Sequence, residues 1–387
     1  MKIGLFGFGT VGSGFYKILK ESKNTDLIIE KIIIKNREKR RILPDYYFST
    51  RAEEVLNNKE VEIIVELIDD AEQAFIILNK ALEKGKTVIT ANKKMLATHL
   101  NELSKLLIKY PNKIWFEASV AGVIPIIQSI QNYIKNDEIY KFTGILNGTS
   151  NYILTQIEKE SLSFEAALNI AKENGFAESN SALDIEAWDP AYKLIILNFL
   201  ISNQIIDIKD VIRVGIEKIS PEHFEILDAI SYKLKPLAYN LGNQLFVGPT
   251  IIKNDHPAAS VNYQNNFILF EGKNIGKLFF SGLGAGELST GFAVYNDLLK
   301  AINPPLNINE SVNFIPKSED LNYIIFSPNE LEESELIEVS KSRKVFVYRG
   351  TSKELISKYS NNSLYFINQN DVEEFIVEIK KINQISF

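Results

Sequence analysis

No cysteine occurs anywhere in the 387 residues. Disulfides, a thiol nucleophile and cysteine-ligated metals are therefore excluded. Histidine is nearly as scarce: His99, His223 and His256 are the only three, too far apart in sequence to suggest a histidine-rich metal site. No apolar run approaches the ~20 residues of a membrane span, and the chain opens straight into a strand-like stretch without a signal-peptide pattern. A basic excess is also missing. Lys and Arg number 43 against 49 Asp and Glu, a net charge of −6, and the pI is near 5.5. That balance argues against nucleic acid or an anionic membrane as the main partner. There is no internal repeat and no low-complexity segment. The expectation is a cytoplasmic protein with no nucleic-acid and no membrane partner. Its 45% hydrophobic and 24% charged residues are ordinary for a globular chain, and its length leaves room for two or three domains.

What is present begins at residue 2. Lys2–Phe6 reads as a strand, Gly7-Phe8-Gly9-Thr10-Val11-Gly12 follows, and Ser13–Leu19 is helical in pattern. Strand, GxGxxG and helix in that order form the dinucleotide fingerprint. Gly7 permits the tight turn, Gly9 lets a pyrophosphate approach the backbone, and Gly12 lets helix and strand pack closely. The phosphates would rest on the helix N-terminus. Leu27–Ile34 reads as the second strand, and its tip carries Lys35-Asn36-Arg37-Glu38-Lys39-Arg40-Arg41. An NAD site places an acid at the strand tip to hold the ribose hydroxyls. Cations crowd this one, which suits a 2′-phosphate. NADP is the expected cofactor, with NAD as the alternate, and Lys35 and Arg37 are the phosphate ligands to test. A solvated basic turn is the plainer alternative. Strands at 61–67, 87–90 and 114–118 alternate with helical stretches at 51–57, 71–84 and 101–110, which predicts a Rossmann-type, doubly wound parallel sheet. Lys93 falls just past the C-terminal end of the 87–90 strand, where such sheets bind ligands.

After residue 125 the pattern changes. A helix is expected over 126–135. Residues 142–154 run from strand through Asn147-Gly148-Thr149 into a helix, and a second helix over 164–174 stops at Gly175. Five charged side chains then occur between Glu178 and Lys193, ahead of the apolar run 194–200. Pro190 suits a first helical turn, Asp189 suits its N-cap, and Lys193, four residues on, shares a face with Asp189. A lysine at the wet end of a buried helix, near several carboxylates, is a candidate proton donor. The plainer alternative is an ordinary ion pair. Residues 205–234 read mostly as helix, and 237–239, 245–250 and 261–270 as antiparallel strands. A second glycine-rich turn, 282–291, leads into a helix over 292–302. The remainder carries strand-like stretches at 323–326 and 345–348.

Together these blocks resemble homoserine dehydrogenase over roughly residues 1 to 302. The matching blocks are the 7–12 turn, Thr90-Ala91-Asn92-Lys93, Glu117-Ala118-Ser119-Val120-Ala121-Gly122 with Ile124-Pro125-Ile126, Gly144–Thr149, Gly175–Lys193 and Gly282–Asp297. The resemblance implies reduction of L-aspartate 4-semialdehyde to L-homoserine with NAD(P)H, a place in threonine and methionine synthesis, and a homodimer. It also implies site residues. Lys193 matches the proton donor, and Lys93 the lysine near nicotinamide and substrate. Glu178, Asp184 and Asp189 match acids that hold the substrate or orient the lysine, and Thr149 with Gly148 lines the substrate pocket. Thr90, Asn92, Gly175 and Gly286 join Gly7, Phe8, Gly9, Thr10, Val11, Gly12, Lys35, Arg37 and Lys93 as cofactor contacts. Glu117, Val120, Gly122 and Ile124 match a loop that binds sodium, mostly through backbone carbonyls. The chain departs from the family pattern at Asp69-Asp70, where a glycine pair is common, and at Lys35, Val123 and Ser289.

The expected organisation has three parts. Residues 1–125 form the dinucleotide-binding domain. Residues 126–308 form an α+β catalytic and dimerisation domain, whose last helix returns to the nucleotide domain. Residues 309–387 form a small C-terminal α/β appendix, with a degenerate regulatory domain as one reading. A non-catalytic nucleotide- or amino-acid-binding relative is the competing reading, and only Asp69-Asp70 favours it.

Overall fold

The computed structural model describes residues 1–302 except Lys23, Thr25, 37–42, Ser179 and 242–243; beyond 302 it describes 322–327, 335–338, 344–349, 363–367, Glu374, Phe375 and Val377. The chain falls into two compact units. The first comprises 1–139, 195–208 and 282–314, and the second 140–194, 209–281 and 315–387.

The first unit contains β1 (Lys2–Phe6), α1 (Thr10–Glu21), β2 (Ile28–Ile33), β3 (Phe48–Ser49), α2 (Glu53–Leu56), β4 (Val61–Glu66), α3 (Ala71–Glu83), β5 (Thr87–Thr90), α4 (Lys93–Thr98), α5 (Leu100–Lys109), β6 (Ile114–Trp115) and α6 (Ile126–Asn132). The six strands are parallel, in the order β3-β2-β1-β4-β5-β6. Helices cover both faces of such a sheet, so its strands read as nearly continuous apolar runs. Ile3, Leu5, Ile64 and Val65 are accordingly fully buried. The expected doubly wound sheet is observed. The 114–118 strand is shorter than expected, because the chain turns into a 3₁₀ segment at Glu117–Ser119.

The second unit contains β7 (Ile139–Ile145), α7 (Gly148–Glu160), α8 (Phe164–Glu173), α9 (Ala182–Ile185), the start of α10 (Trp188–Ser202), β8 (Ile212–Arg213), α11 (Pro221–Ala229), β9 (Tyr232–Leu241), β10 (Gln244–Lys253), β11 (Asn265–Gly272) and β12 (Gly276–Leu283). Among the described residues one mixed sheet runs β12-β11-β7-β9-β10, and β8 pairs with β10 off that path. Residues 205–234 were expected to be mostly helical. They hold one nine-residue helix, α11, between strand pairings. Apolar residues are frequent there but fall in short runs, so helix and strand periods are hard to separate over short windows.

One further helix, α12 (Glu287–Ile302), packs on α1 within the first unit. The crossing is close enough to demand glycine. A Cβ on Gly14 would fall 1.9 Å from the Glu287 carbonyl oxygen, and one on Gly291 would fall 2.6 Å from the Gly14 carbonyl carbon.

Four tail strands, β13 (Asn322–Ser327), β14 (Glu335–Glu338), β15 (Lys344–Arg349) and β16 (Ser363–Ile367), extend the second unit's sheet in the order β10-β16-β13-β15-β14. Phe375 is fully buried in that unit's core, edge-on to Tyr232 with ring centroids 5.4 Å apart. Among the described residues, no helix is long and apolar enough to cross a membrane.

Candidate active site

The C-terminal edge of the parallel sheet is built for a phosphate. Gly7 follows β1 with φ +90°, a conformation that L side chains rarely adopt. A Cβ on Gly12 would lie 2.6 Å from the Gly7 carbonyl oxygen, so the first turn of α1 closes tightly on the loop. At Gly9, no heavy atom lies within 4 Å of an added Cβ, and no side chain caps α1. The open N–H groups of Thr10, Val11 and Gly12 and the positive end of the helix dipole suit an anion. Phe8 packs edge-on against Tyr16 and Phe48. These residues fit the pyrophosphate of a dinucleotide. Lys35 is exposed just beyond β2. Arg37 and 39–41 lie outside the described residues. Gly286, φ +134°, precedes α12, and its carbonyl accepts the Thr290 N–H at 3.1 Å.

Sequence reasoning passed over Glu66, the last residue of β4. It is fully buried. Its Oε1 accepts the Ile68 N–H at 2.7 Å and its Oε2 the Thr90 hydroxyl at 2.5 Å. Thr90 Oγ1 in turn accepts the Asn92 N–H at 3.0 Å. Asn92 Nδ2 donates to the Ile68 carbonyl, and Asn92 Oδ1 caps α4 by accepting the Met95 N–H at 2.9 Å. Two loops at the cofactor edge are thus tied together, and Lys93 is fixed as the first residue of α4. The available signal was an acid ending an otherwise apolar strand. Asp70 also has a local reason: its carboxylate caps α3 by accepting the Gln73 N–H at 3.0 Å.

Burial pushes the Glu66 carboxyl up to about 7. The folded value lies above the unfolded one, so the stability tied to the protonated acid is fully present below about pH 4.3. It is lost as pH rises through about 7. At 1.36 kcal/mol per pKa unit the swing is on the order of 3 kcal/mol. Glu66→Gln should therefore flatten the fall in melting temperature between pH 5 and 8. Parallel wild-type and variant curves would refute this.

In the second unit the structure gathers a polar string in a buried setting. β7 ends at Ile145, Leu146 follows, and Asn147 caps α7 by accepting the Ser150 N–H on Oδ1 at 2.8 Å. Asn147 Nδ2 donates to Asp184 Oδ1 at 2.6 Å and to Asp189 Oδ2 at 2.8 Å. Asp189 Oδ2 also accepts from Lys193 Nζ at 2.8 Å, and that ammonium donates to the Leu146 carbonyl at 2.8 Å. Lys193 and Asp189 are each 6% exposed. The expected N-cap role of Asp189 is corrected. α10 begins at Trp188, so Asp189 lies inside the first turn, and its carboxylate turns to Lys193 and Asn147. Left-handed Ala187, φ +63°, sets the entry to that helix.

The flanking residues are also placed. Thr149 Oγ1 donates to the Phe176 carbonyl at 2.7 Å, tying the start of α7 to the loop after Gly175, whose φ is +74°. A Cβ on Gly148 would meet the Gln264 carbonyl oxygen at 2.7 Å. Glu178 is exposed. Lys93 belongs to the first unit and the Lys193 group to the second. Asn147 is the residue that sequence reasoning missed here; asparagine directly before a helix start was the signal.

The 117–124 loop is strained and acid-lined. Ala121 and Gly122 both have left-handed φ, +59° and +58°. Glu117 is 3% exposed, and its carboxylate accepts the Ile127 and Gln128 N–H groups at 2.8 and 2.9 Å. Its own N–H donates to Asp297 Oδ2 at 2.8 Å. Burial raises both acids, Glu117 to about 7 and Asp297 well above the usual carboxylate range, and the Glu117 charge adds to the latter.

Comparison with known proteins agrees with this geometry. Residues 7–117 match the family model described as homoserine dehydrogenase, NAD binding domain, and residues 125–299 match the one described as homoserine dehydrogenase. The chain is 32% identical to the homoserine dehydrogenase of Bacillus subtilis over 92% of this chain and 87% of that one. It is 36% identical to that of Helicobacter pylori, over 78% and 73%. A solved homoserine dehydrogenase from S. aureus superposes with a TM-score of 0.76 at 31% identity, covering 95% of this chain and 99% of the other. A hyperthermophilic archaeal homoserine dehydrogenase solved in complex with NADPH shares the fold, with a TM-score of 0.69 at 23% identity over 80% and 99%.

Proposed function

The chain belongs to the homoserine dehydrogenase family and, as an NAD(P)-dependent oxidoreductase of a CH–OH group, reduces L-aspartate 4-semialdehyde to L-homoserine; we propose that Lys193 is the proton donor in that reduction. The observation that carries the assignment is the buried string Asp184–Asn147–Asp189–Lys193. A bound nicotinamide supplies the hydride. As the aldehyde carbon receives it, negative charge grows on the carbonyl oxygen, which needs a positioned proton or cation. Asp189 and the Leu146 carbonyl both accept from the Lys193 ammonium and so fix its position. Lys93 is the second cation of the proposal, on the cofactor side. Asp184 and Glu178 offer carboxylates to the substrate ammonium, and Thr149 and Gly148 line the pocket. Asn147 acts through Asp189 and is a positioning residue. The dinucleotide assignment of residues 1–125 and the substrate assignment of 126–308 are supported by the ranges of the two family models. An assay of aspartate semialdehyde with NADPH or NADH tests the reading, and absence of oxidation of either would overturn it.

NADP over NAD is the finer proposal, carried by the basic tip after β2. Replacing Lys35 and Arg37 by alanine should weaken NADPH and leave NADH nearly unchanged. A charged phosphate contact is worth roughly 1.5–3 kcal/mol, so about tenfold or more per residue. Equal losses for both cofactors would refute it. A sodium ion held by the loop of Glu117, Val120, Gly122 and Ile124, mostly through backbone carbonyls, is supported by two buried acids, Glu117 and Asp297, beside that turn. Exchange of sodium for choline should then lower activity; unchanged activity would count against it. The homodimer is supported by β12, an edge strand with Phe279 52% exposed. Sedimentation at the mass of one chain would overturn it.

A further inference from the structure

We propose that the opposite, N-terminal edge of the parallel sheet carries a second ligand site, for a compact phosphate-bearing anion. A cavity of about 550 Å³ opens there, where β4 begins at Val61 and β5 at Thr87. It lies in the first unit, at the edge away from the glycine turn. Its volume is within the range of small-molecule sites, ~300–1,000 Å³.

The charge on its walls is one-sided. Lys59, Lys84, Lys86 and Lys113 line it, and Glu62 is the one carboxylate among the lining residues. Lys86 is 5% exposed. Its Nζ donates to the carbonyls of Asn58 and Val61, at 2.7 and 2.5 Å. Lys113 Nζ donates to the Gly85 carbonyl at 3.1 Å and to Thr87 Oγ1 at 3.4 Å. Backbone oxygens therefore fix both ammonium groups without neutralising them. None of the four lysines has an ion pair among the described residues; the nearby acids Glu30 and Glu60 pair with Lys2. Burial, helped by the Lys84 charge, draws the Lys86 ammonium below its ordinary value, as expected of a cation lacking a counter-charge.

A buried charge without a partner is costly, and the cost is removed when an anion completes the site. The donors favour phosphate over a lone carboxylate. Four lysines against one carboxylate suit a multiply charged anion, and lysine meets phosphate oxygens as a compact point charge. With Lys59 and Lys84 on the exposed rim and Lys86 and Lys113 below, several oxygens can be met at once. The adjoining Thr87 hydroxyl adds a neutral contact.

The test is calorimetric titration of inorganic pyrophosphate into the full chain at constant ionic strength, with and without saturating NADPH. With saturating NADPH occupying the glycine turn, one pyrophosphate per chain should still bind. The double variant Lys59→Glu, Lys84→Glu should raise the Kd at least tenfold while leaving the melting temperature unchanged, because both side chains are exposed. Lys86→Met should also weaken binding, and the rim variant keeps the test valid if that protein fails to fold. The proposal is overturned if no binding is seen up to millimolar pyrophosphate. It is equally overturned if the rim variant binds with wild-type affinity. Complete displacement of pyrophosphate by NADPH would assign the ion to the glycine turn and overturn it as well.

Discussion

Lys193→Met should lower kcat by at least about a hundredfold, since proton transfer by a positioned side chain contributes typically ~10²–10⁴-fold. Methionine keeps much of the stem and removes the ammonium. The KM for cofactor should barely change, because the lysine is proposed to meet the substrate oxygen and not the pyrophosphate. Stability is a separate matter. Lys193 is 6% exposed and bonded to Asp189, so its removal strips a buried carboxylate of its cation. Breaking a buried pair on one side costs about 3–5 kcal/mol. Asn147 still donates to Asp189 in the variant, which should hold the loss toward the lower end. Melting temperature should fall visibly, and kcat must be measured on folded enzyme well below it. A folded variant retaining more than a tenth of normal turnover would show that the proton comes from elsewhere.

The stability cost could not be read from sequence. The i,i+4 spacing of Asp189 and Lys193 told that they share a helix face. It did not tell that β7 ends against that face and that Leu146, next in the chain, offers its carbonyl. The glycine turn was legible, because strand, turn and helix follow one another within the first 21 residues and each glycine answers a local need. The same holds for the alternation that makes the parallel sheet. Contacts between distant segments were illegible. Asn147 and Asp184 are 37 positions apart, Glu66 and Thr90 are 24 apart, and Glu117 and Asp297 are 180 apart. Pattern reasoning sees one segment at a time, while these pairs depend on sheet register and helix packing. Asp189 shows the same limit on a small scale. Pro190 made it an apt cap, yet Asn147 at the start of α7 and Lys193 within α10 take its carboxylate instead.

Asn147→Asp should produce the second large effect, and it separates positioning from packing. The new carboxylate keeps the cap on α7, because one oxygen can still accept the Ser150 N–H. The other replaces a donor that stands 2.6 Å from Asp184 and 2.8 Å from Asp189. Three carboxylates cannot all ionise at such distances; one must hold a proton, and the cluster titrates at raised pH. Above that pH the added negative charge loosens the string and holds the Lys193 proton more tightly. Each pKa unit of that shift is worth about 1.36 kcal/mol, or tenfold. The expected outcome is a loss in kcat of about tenfold to a hundredfold at pH 8. Part of it should return as the pH falls toward 6, where the proton restores a donor between the acids. Asn147→Ala is the control. It loses the cap, worth about 1 kcal/mol, and both side-chain donations, but it adds no charge. Its activity should fall without the recovery at low pH. A purely structural Asn147 would give both variants the wild-type pH profile at reduced stability, and that result would remove it from the proton path.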